Sequence, residues 1–362
     1  MDSELVSGVL FLDLKKAFDP VDHKLMLRKH NLYGIKGGAL NLFTSYLSTR
    51  TQVYKIKNTM SSSSPVSCSV PQKSNLRPLH FLLYVNDLPN CLKNCTPFMY
   101  ADDTNLTVHG NTAKDLELKL NSELNNVHKW LITNRLTLNV EKTEYMLIGS
   151  RQKLSKLSNL SEIKASIGNN EVERVSNTKT LGIIIDGNLK WKEHIDSASK
   201  KISKTMLRRV KPFVSQDSLN IMYKSLILPH FDYCSLVWGN CNNSLLDKMQ
   251  RLQNRAARAI TGDSYEIRSS DILTKLSWET LGQRREQQTI KVVNKALKHD
   301  CPQSISNMFK ISKSEKCNLR NNNQVLALSK PKTNEMKRSF SYLSANVWNK
   351  QSVHERNLIL NY

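Results

Sequence analysis

The segment FMYADDTNLTV, Phe98 to Val108, sets two adjacent carboxylates, Asp102 and Asp103, between two short apolar runs. Its flanks read as paired strands, so it predicts a β-hairpin with the acids at the tip. Neighbouring acids repel, and a tight hairpin turn more commonly carries Asn-Gly or Asp-Gly. A solvated turn acid is the ordinary explanation of such a pair, and a chemical one needs a third acid able to reach the same place. Asp13 is that acid. It ends the strand VLFLD (9–13) of the apolar, β-rich run GVLFLDL, where a sheet presents a side chain at its rim rather than in its core. If that strand and the hairpin are neighbours in one sheet, three carboxylates meet at one edge, and they need cations to coexist. Hard oxygen ligands suit Mg²⁺. Two such ions about 3.5–4 Å apart clamp the attacking and leaving oxygens of an in-line phosphoryl displacement.

Outward from the hairpin, the pattern alternates irregularly between strands and helices. VDHKLMLRKHNL and ALNLFTSYLS read as helices, TQVYKIK as a strand, and the Ser-rich TMSSSSPVS as a loop. PLHFLLYVNDL reads as a helix opened by Pro78. After the hairpin, Leu116, Leu120, Leu124, Val127 and Leu131 mark one face of a long amphipathic helix. EYMLIG and TLGIIID read as strands on either side of a polar Ser/Lys linker near 150–165. The expected fold class is α+β, an antiparallel sheet packed on helices, followed by a helical region.

Charge is distributed unevenly. The chain of 362 residues carries 53 Lys/Arg against 31 Asp/Glu, a formal +22. Residues 1–150 hold 17 basic and 13 acidic residues, so the excess falls on residues 151–362 with 36 and 18. The acids needed for chemistry sit in a nearly balanced half, and the other half suits a polyanion, nucleic acid above all. No basic run is paired with a Trp/Phe-rich amphipathic face, so no membrane partner is expected. Two segments sharpen the expectation. In KKISKTMLRRVK, Lys201, Lys204, Arg208 and Lys211 recur at helical spacing beside Ile202, Met206 and Val210. In LLDKMQRLQNRAARAI, Lys248, Arg251, Arg255 and Arg258 run beside Met249, Leu252, Ala256 and Ala259. One row can pack on the protein while its neighbour faces phosphates.

The seven cysteines are scattered; neither Cys91 with Cys95 nor Cys234 with Cys241 has a second pair at zinc spacing, so free thiols in a reducing compartment are expected. The opening residues lack a basic n-region, and Asp13 breaks their apolar run, so no signal peptide is expected and the nucleus or cytoplasm is the expected location.

The stretches FLDLKKAFDPVDHKL, SVPQKSNLRPLHFLLYVNDL, YADDTNL, LNVEKTEYMLIG and TLGIIID together resemble, in order and spacing, the motifs of reverse transcriptases of non-LTR (LINE-type) retrotransposons. The resemblance implies a right-hand polymerase palm with its fingers missing over 1–187, a basic helical thumb-like region over 188–262 and a C-terminal basic region over 263–362. It implies RNA-directed DNA synthesis on an RNA template and DNA primer from deoxynucleoside triphosphates, with two Mg²⁺ ions or Mn²⁺ in their place. Oligomeric state is left open. On the matching positions, Asp13, Asp102 and Asp103 are the metal-binding triad, Phe18 the aromatic gate against a ribonucleotide's 2′-hydroxyl, and Gln72 the glutamine beside the incoming nucleotide. Lys142 is the lysine that protonates departing pyrophosphate, and TLGIIID the primer grip.

Departures accompany the resemblance. Lys73 and Arg77 replace two glycines of the pattern, His80 an apolar residue and Pro20 a small polar one. Glycine lets backbone approach closely, so two long cationic side chains are expected to obstruct the site or push the loop outward. Met1 aligns inside the palm pattern, as in a truncated, drifting copy of an element's second reading frame. Two functions therefore compete: a working polymerase, impaired as an isolated chain, and a catalytically inactive, polymerase-derived nucleic-acid-binding protein.

Overall fold

The computed structural model describes residues 5–48, 50–70, 74–156, 163–204, 210–312, 325–328, 330–352 and 355–356. Gln72, Lys73 and Arg208 lie outside the described residues. The chain divides into two compact units at Leu181–Gly182.

The first unit is built on a six-stranded sheet of β1 (Val6–Leu12), β6 (Thr96–Tyr100), β7 (Asp103–Gly110), β8 (Glu144–Ile148), β9 (Ala165–Ile167) and β10 (Asn170–Arg174), in the order β6-β7-β1-β8-β10-β9. Every pairing is antiparallel except β8 with β10. Four two-residue strands, β2 (Thr51–Gln52), β3 (Lys55–Ile56), β4 (Thr59–Met60) and β5 (Ser64–Pro65), form a separate ribbon in which β2 pairs β5 and β3 pairs β4. The helices α1 (His23–Leu32), α2 (Gly37–Leu47), α3 (Arg77–Val85) and α4 (Ala113–Thr133) follow the predicted segments. The α+β class expected, an antiparallel-dominated sheet packed on helices, is the one observed. In α4 the Thr112 side chain caps the first turn by accepting from the Asp115 amide, and all five leucine and valine positions of the predicted face are buried. The helix lies against β1, β7 and β9. It comes so close at Gly8 that an added Cβ would stand 3.2 Å from Val108 and 3.3 Å from Leu120, which explains a glycine in the middle of β1. Glu123, on the same helix, is fully buried, and its carboxylate accepts from the amides of Lys93 and Asn94.

The linker expected near 150–165 instead begins with a short helix, α5 (Arg151–Lys156), and ends in β9. A single strand TLGIIID is also corrected. Leu181 and Gly182 both take positive φ, 45° and 80°, and split the segment into β11 (Asn177–Thr180) and β12 (Ile183–Asp186). The hydrophobic run concealed a turn.

In the second unit, α6 (Lys192–Lys204) and α7 (Asn243–Thr261) pack together with Ile195, Ile202, Met249, Ala256 and Ile260 in one core around the fully buried Trp238. Gly262, with φ 83°, ends α7 and returns its amide to the Arg258 carbonyl. A capping box of Thr280 and Gln283 opens α8 (Leu281–Leu297), which packs on α9 (Phe340–Lys350) through Val293, Ala296, Ala345 and Trp348. Among the described residues no helix is long and apolar enough to cross a membrane.

Candidate active site and candidate nucleic-acid interface

The antiparallel register decides where the acids fall. Leu12 of β1 pairs with Thr104 of β7, so Asp13 and Asp103 come next at the same end of two neighbouring strands. Tyr100 pairs with Asp103, which makes Ala101 and Asp102 the two turn residues of the hairpin. Ala101 holds φ 54°, a conformation that costs an L-residue roughly 1–2 kcal/mol and is usually left to glycine. The hairpin is thus tighter than the sequence suggests, with Asp102 in the turn and Asp103 opening β7. Desolvation by the surrounding protein, then repulsion from Asp102 and from Asp13, raises the Asp103 carboxyl above the usual carboxylate range, although its side chain is exposed at the end of β7.

Asp13 is held by residues that no motif singled out. Its Oδ2 accepts from Asn139 Nδ2 at 2.9 Å, and its carbonyl accepts from the Asn139 amide at 2.8 Å. The fully buried Thr143 donates its hydroxyl to the Asn139 carbonyl at 2.8 Å. Lys142 is exposed in the 3₁₀ turn Val140–Lys142 between them. In LNVEKTE the Asn and Thr four residues apart read only as a turn before an apolar strand, and nothing local ties them to Asp13. As donors, three carboxylates at one sheet end match a hard divalent cation. Among the described residues, no three Asp, Glu, His or Cys side chains are grouped so as to hold a metal ion as they stand.

Phe18 is half-buried against Phe81 of α3, ring centroids 4.4 Å apart. The Arg77 guanidinium lies 4.7 Å over the Phe18 ring and 3.5 Å from Asp19. The long cation at a pattern glycine therefore covers one face of the ring expected to stand beside the nucleotide sugar. His80 is fully buried, its Nδ1 3.3 Å from Nε2 of the fully buried His30, in a cluster with Phe43 and Tyr46. Desolvation, then the fields of His30 and His23, lowers its pKa to about 4.

In the second unit, α6 and α7 border an open groove of about 830 Å³ lined by Lys200, Lys204, Lys248, Arg251 and Arg255 together with Asp196. Four expected cations are here. The fifth, Lys200, escapes the sequence row, which names its neighbour Lys201 instead. Lys200 and Lys204 are four apart and share a helix face. Lys248 is tied to Asp196 at 2.6 Å. Lys201 does not line the groove, and Lys211 stands beyond α6, in the 3₁₀ turn Lys211–Phe213. Arg258 was expected to face solvent in line with Arg251 and Arg255. Instead it donates to Ser269 Oγ at 3.1 Å and the Ile267 carbonyl at 2.9 Å, and lies over Tyr265. Three α-helical residues rotate the position by about 300°, which carries Arg258 to the edge of the stripe and onto the following loop.

The family described as reverse transcriptase (RNA-dependent DNA polymerase) matches residues 3–185, half of the chain and the whole sheet with its acids. The chain belongs to this reverse transcriptase family. It is 23% identical over 289 residues to "Probable RNA-directed DNA polymerase from transposon X-element" of Drosophila melanogaster, covering 77% of this chain and 31% of that protein. It is 26% identical over 316 residues to "Probable RNA-directed DNA polymerase from transposon BS" of the same species, covering 82% and 34%. To the RNA-directed DNA polymerase from its mobile element jockey it is 25% identical over 294 residues, covering 76% and 30%. This reverse transcriptase chain thus spans about a third of the length of these relatives. A solved telomerase from Candida albicans, in complex with a fragment of telomeric RNA, aligns with 76% of this chain and 51% of its own at 10% identity; the TM-score of 0.39 is too low to carry weight.

Proposed function

We propose that this chain carries the nucleotidyl-transfer centre of an RNA-directed DNA polymerase of the non-LTR retrotransposon type. The observation that supports it best is the register that sets Asp13, Asp102 and Asp103 at one end of adjacent strands inside a reverse transcriptase sheet. Reverse transcriptases use divalent metals; in this chain Asp13, Asp102 and Asp103 would hold two Mg²⁺ ions, or Mn²⁺. When bound, such ions supply stabilisation of the charge that develops on the phosphoryl oxygens.

The chain's own residues do the rest. Asn139 and Thr143 set the position of Asp13. Lys142, exposed beside them, is the donor that returns a proton to the departing pyrophosphate, as a general acid within reach of solvent. Phe18 would pack on the sugar of the incoming nucleotide, and Gln72 would stand beside it. Lys200, Lys204, Lys248, Arg251 and Arg255 would neutralise phosphates of the template–primer in the thumb-like region, with Lys201 and Lys211 at its margins.

One observation favours the second reading, a nucleic-acid-binding protein without turnover. Arg77 already covers a face of Phe18, the ring expected beside the nucleotide sugar. Primer extension on an RNA template with Mg²⁺ or Mn²⁺ separates the two. The first predicts slow synthesis that rises in Arg77→Gly and vanishes in Asp102→Ala. Extension by neither the wild type nor Arg77→Gly, with RNA binding intact, would establish the second.

A further inference from the structure

Residues His23 to Asn86 contain nine Lys/Arg and no Asp or Glu. The near-balance of the first 150 residues therefore conceals a continuous acid-free stretch whose excess is offset elsewhere. In the middle of it stands the ribbon Thr51–Pro65, every residue of which is exposed. Its side chains are unusual for a solvated turn: Tyr54 is 68% exposed, Ile56 74% and Met60 65%. Lys55 pairs directly with Met60 and Ile56 with Thr59, while Tyr54 exchanges bonds with Ser61, its amide to Ser61 Oγ at 3.0 Å and its carbonyl from the Ser61 amide at 2.9 Å. Alternation then puts Tyr54 and Ile56 on one face and Val53 and Lys55 on the other. Lys57 occupies the turn with φ 53°, a position that favours glycine, so a cation is retained at the tip at a conformational cost. Neither Lys55 nor Lys57 pairs with a carboxylate among the described residues. A two-stranded ribbon is marginally stable alone, and this one presents both faces uncovered.

We infer that the ribbon Thr51–Pro65 is a contact arm for single-stranded nucleic acid, Tyr54 stacking on an unpaired base and Lys55 and Lys57 meeting the adjoining phosphates. Charge selects a polyanion, and the exposed ring and apolar tips select unstacked bases over a duplex. The inference rests on the proposal that the chain works on nucleic acid, and adds a site that neither the acids nor the α6–α7 groove supplies.

Binding of the full chain to a single-stranded RNA oligonucleotide, followed by fluorescence anisotropy across salt concentrations, tests it. Lys55→Gln with Lys57→Gln should flatten the log–log salt slope by about 1.4, near 0.7 for each phosphate contact on a single strand. Tyr54→Ala should weaken binding roughly 5- to 140-fold at every salt concentration, the range stacking on one aromatic spans. Lys57→Gly removes one charge and relieves the turn, so its slope should flatten by about 0.7 with the fold intact. If these variants bind like wild type while Arg251→Gln with Arg255→Gln flattens the slope, the ribbon assignment fails and the nucleic-acid function stands. A wild-type chain that binds no RNA overturns both. Self-association lost in Tyr54→Ala without change in RNA binding would give the ribbon to a second copy of the chain instead.

Discussion

The carboxylate end of the first unit and the basic groove of the second are built in opposite ways. At the carboxylate end the residues come from far apart in sequence: strand register brings Asp13 to Asp102 and Asp103, and Asn139 with Thr143 holds it there. The groove comes from two helical stripes, each local in sequence. Sheet register is cooperative: a slip of one residue would move every side chain to the other face. A helical stripe tolerates change residue by residue. Substitutions at the first should therefore act steeply on chemistry, and those at the second gradually on salt-dependent binding.

The largest expected effect is at the acids. Asp102→Ala should reduce primer extension about a thousandfold or more, because a metal clamp is worth several kcal/mol of transition-state stabilisation. Nucleic-acid binding through the groove should persist in the same variant. A variant that loses both together would show that the two regions are not independent.

Next comes the packing that fixes the register. Leu120 is fully buried on α4 beside Gly8. Leu120→Ala should cost roughly 2–5 kcal/mol in urea denaturation, whereas Arg251→Gln, at an exposed position, should fall within about 0.5 kcal/mol of wild type.

Acid should expose a further difference. The folded pKa of His80 is about 4 against 6.5 for an ordinary histidine, and burial lowers His30 in the same direction. Between these values the unfolded chain binds more protons than the folded one, so stability is complete above pH 6.5 and falls as pH drops towards 4, by no more than about 3 kcal/mol for His80. His80→Leu should remove much of that slope in melting temperature against pH. An unchanged profile would mean that the buried histidine pair is not what titrates.

The smallest expected effects divide the α7 row. Arg251→Gln with Arg255→Gln should flatten the salt slope on single strands by about 1.4. Arg258→Gln should leave the slope alone and cost about 1 kcal/mol of stability, because Arg258 pins the loop at Ile267 and Ser269. Equal slope changes from all three would return Arg258 to the phosphate-facing row.

What is legible in the sequence follows the same division. The elements of the first unit are readable because alternation and helical spacing are local, and the spacing from Leu116 to Leu131 is enough to name the buried face of α4. The support of Asp13 is not readable, since a hydrogen bond across 126 residues has no local signature. Nor is the break at Leu181–Gly182, where an apolar run conceals two positive-φ residues. In the second unit the stripes are legible but their membership is not. The sequence row admits Lys201 and passes over Lys200, and helix rotation carries Arg258 onto a neighbouring loop.

The central claim is that Asp13, Asp102 and Asp103 form one cation site even though Asp13 is bonded to Asn139 in the structure. Titration of the chain with Mn²⁺, followed by electron paramagnetic resonance, tests it without requiring turnover. Saturable Mn²⁺ binding that is lost in Asp13→Asn with Asp103→Asn, while RNA binding and its salt slope stay at wild-type values, is the result predicted. Equal Mn²⁺ binding by wild type and variant would contradict it.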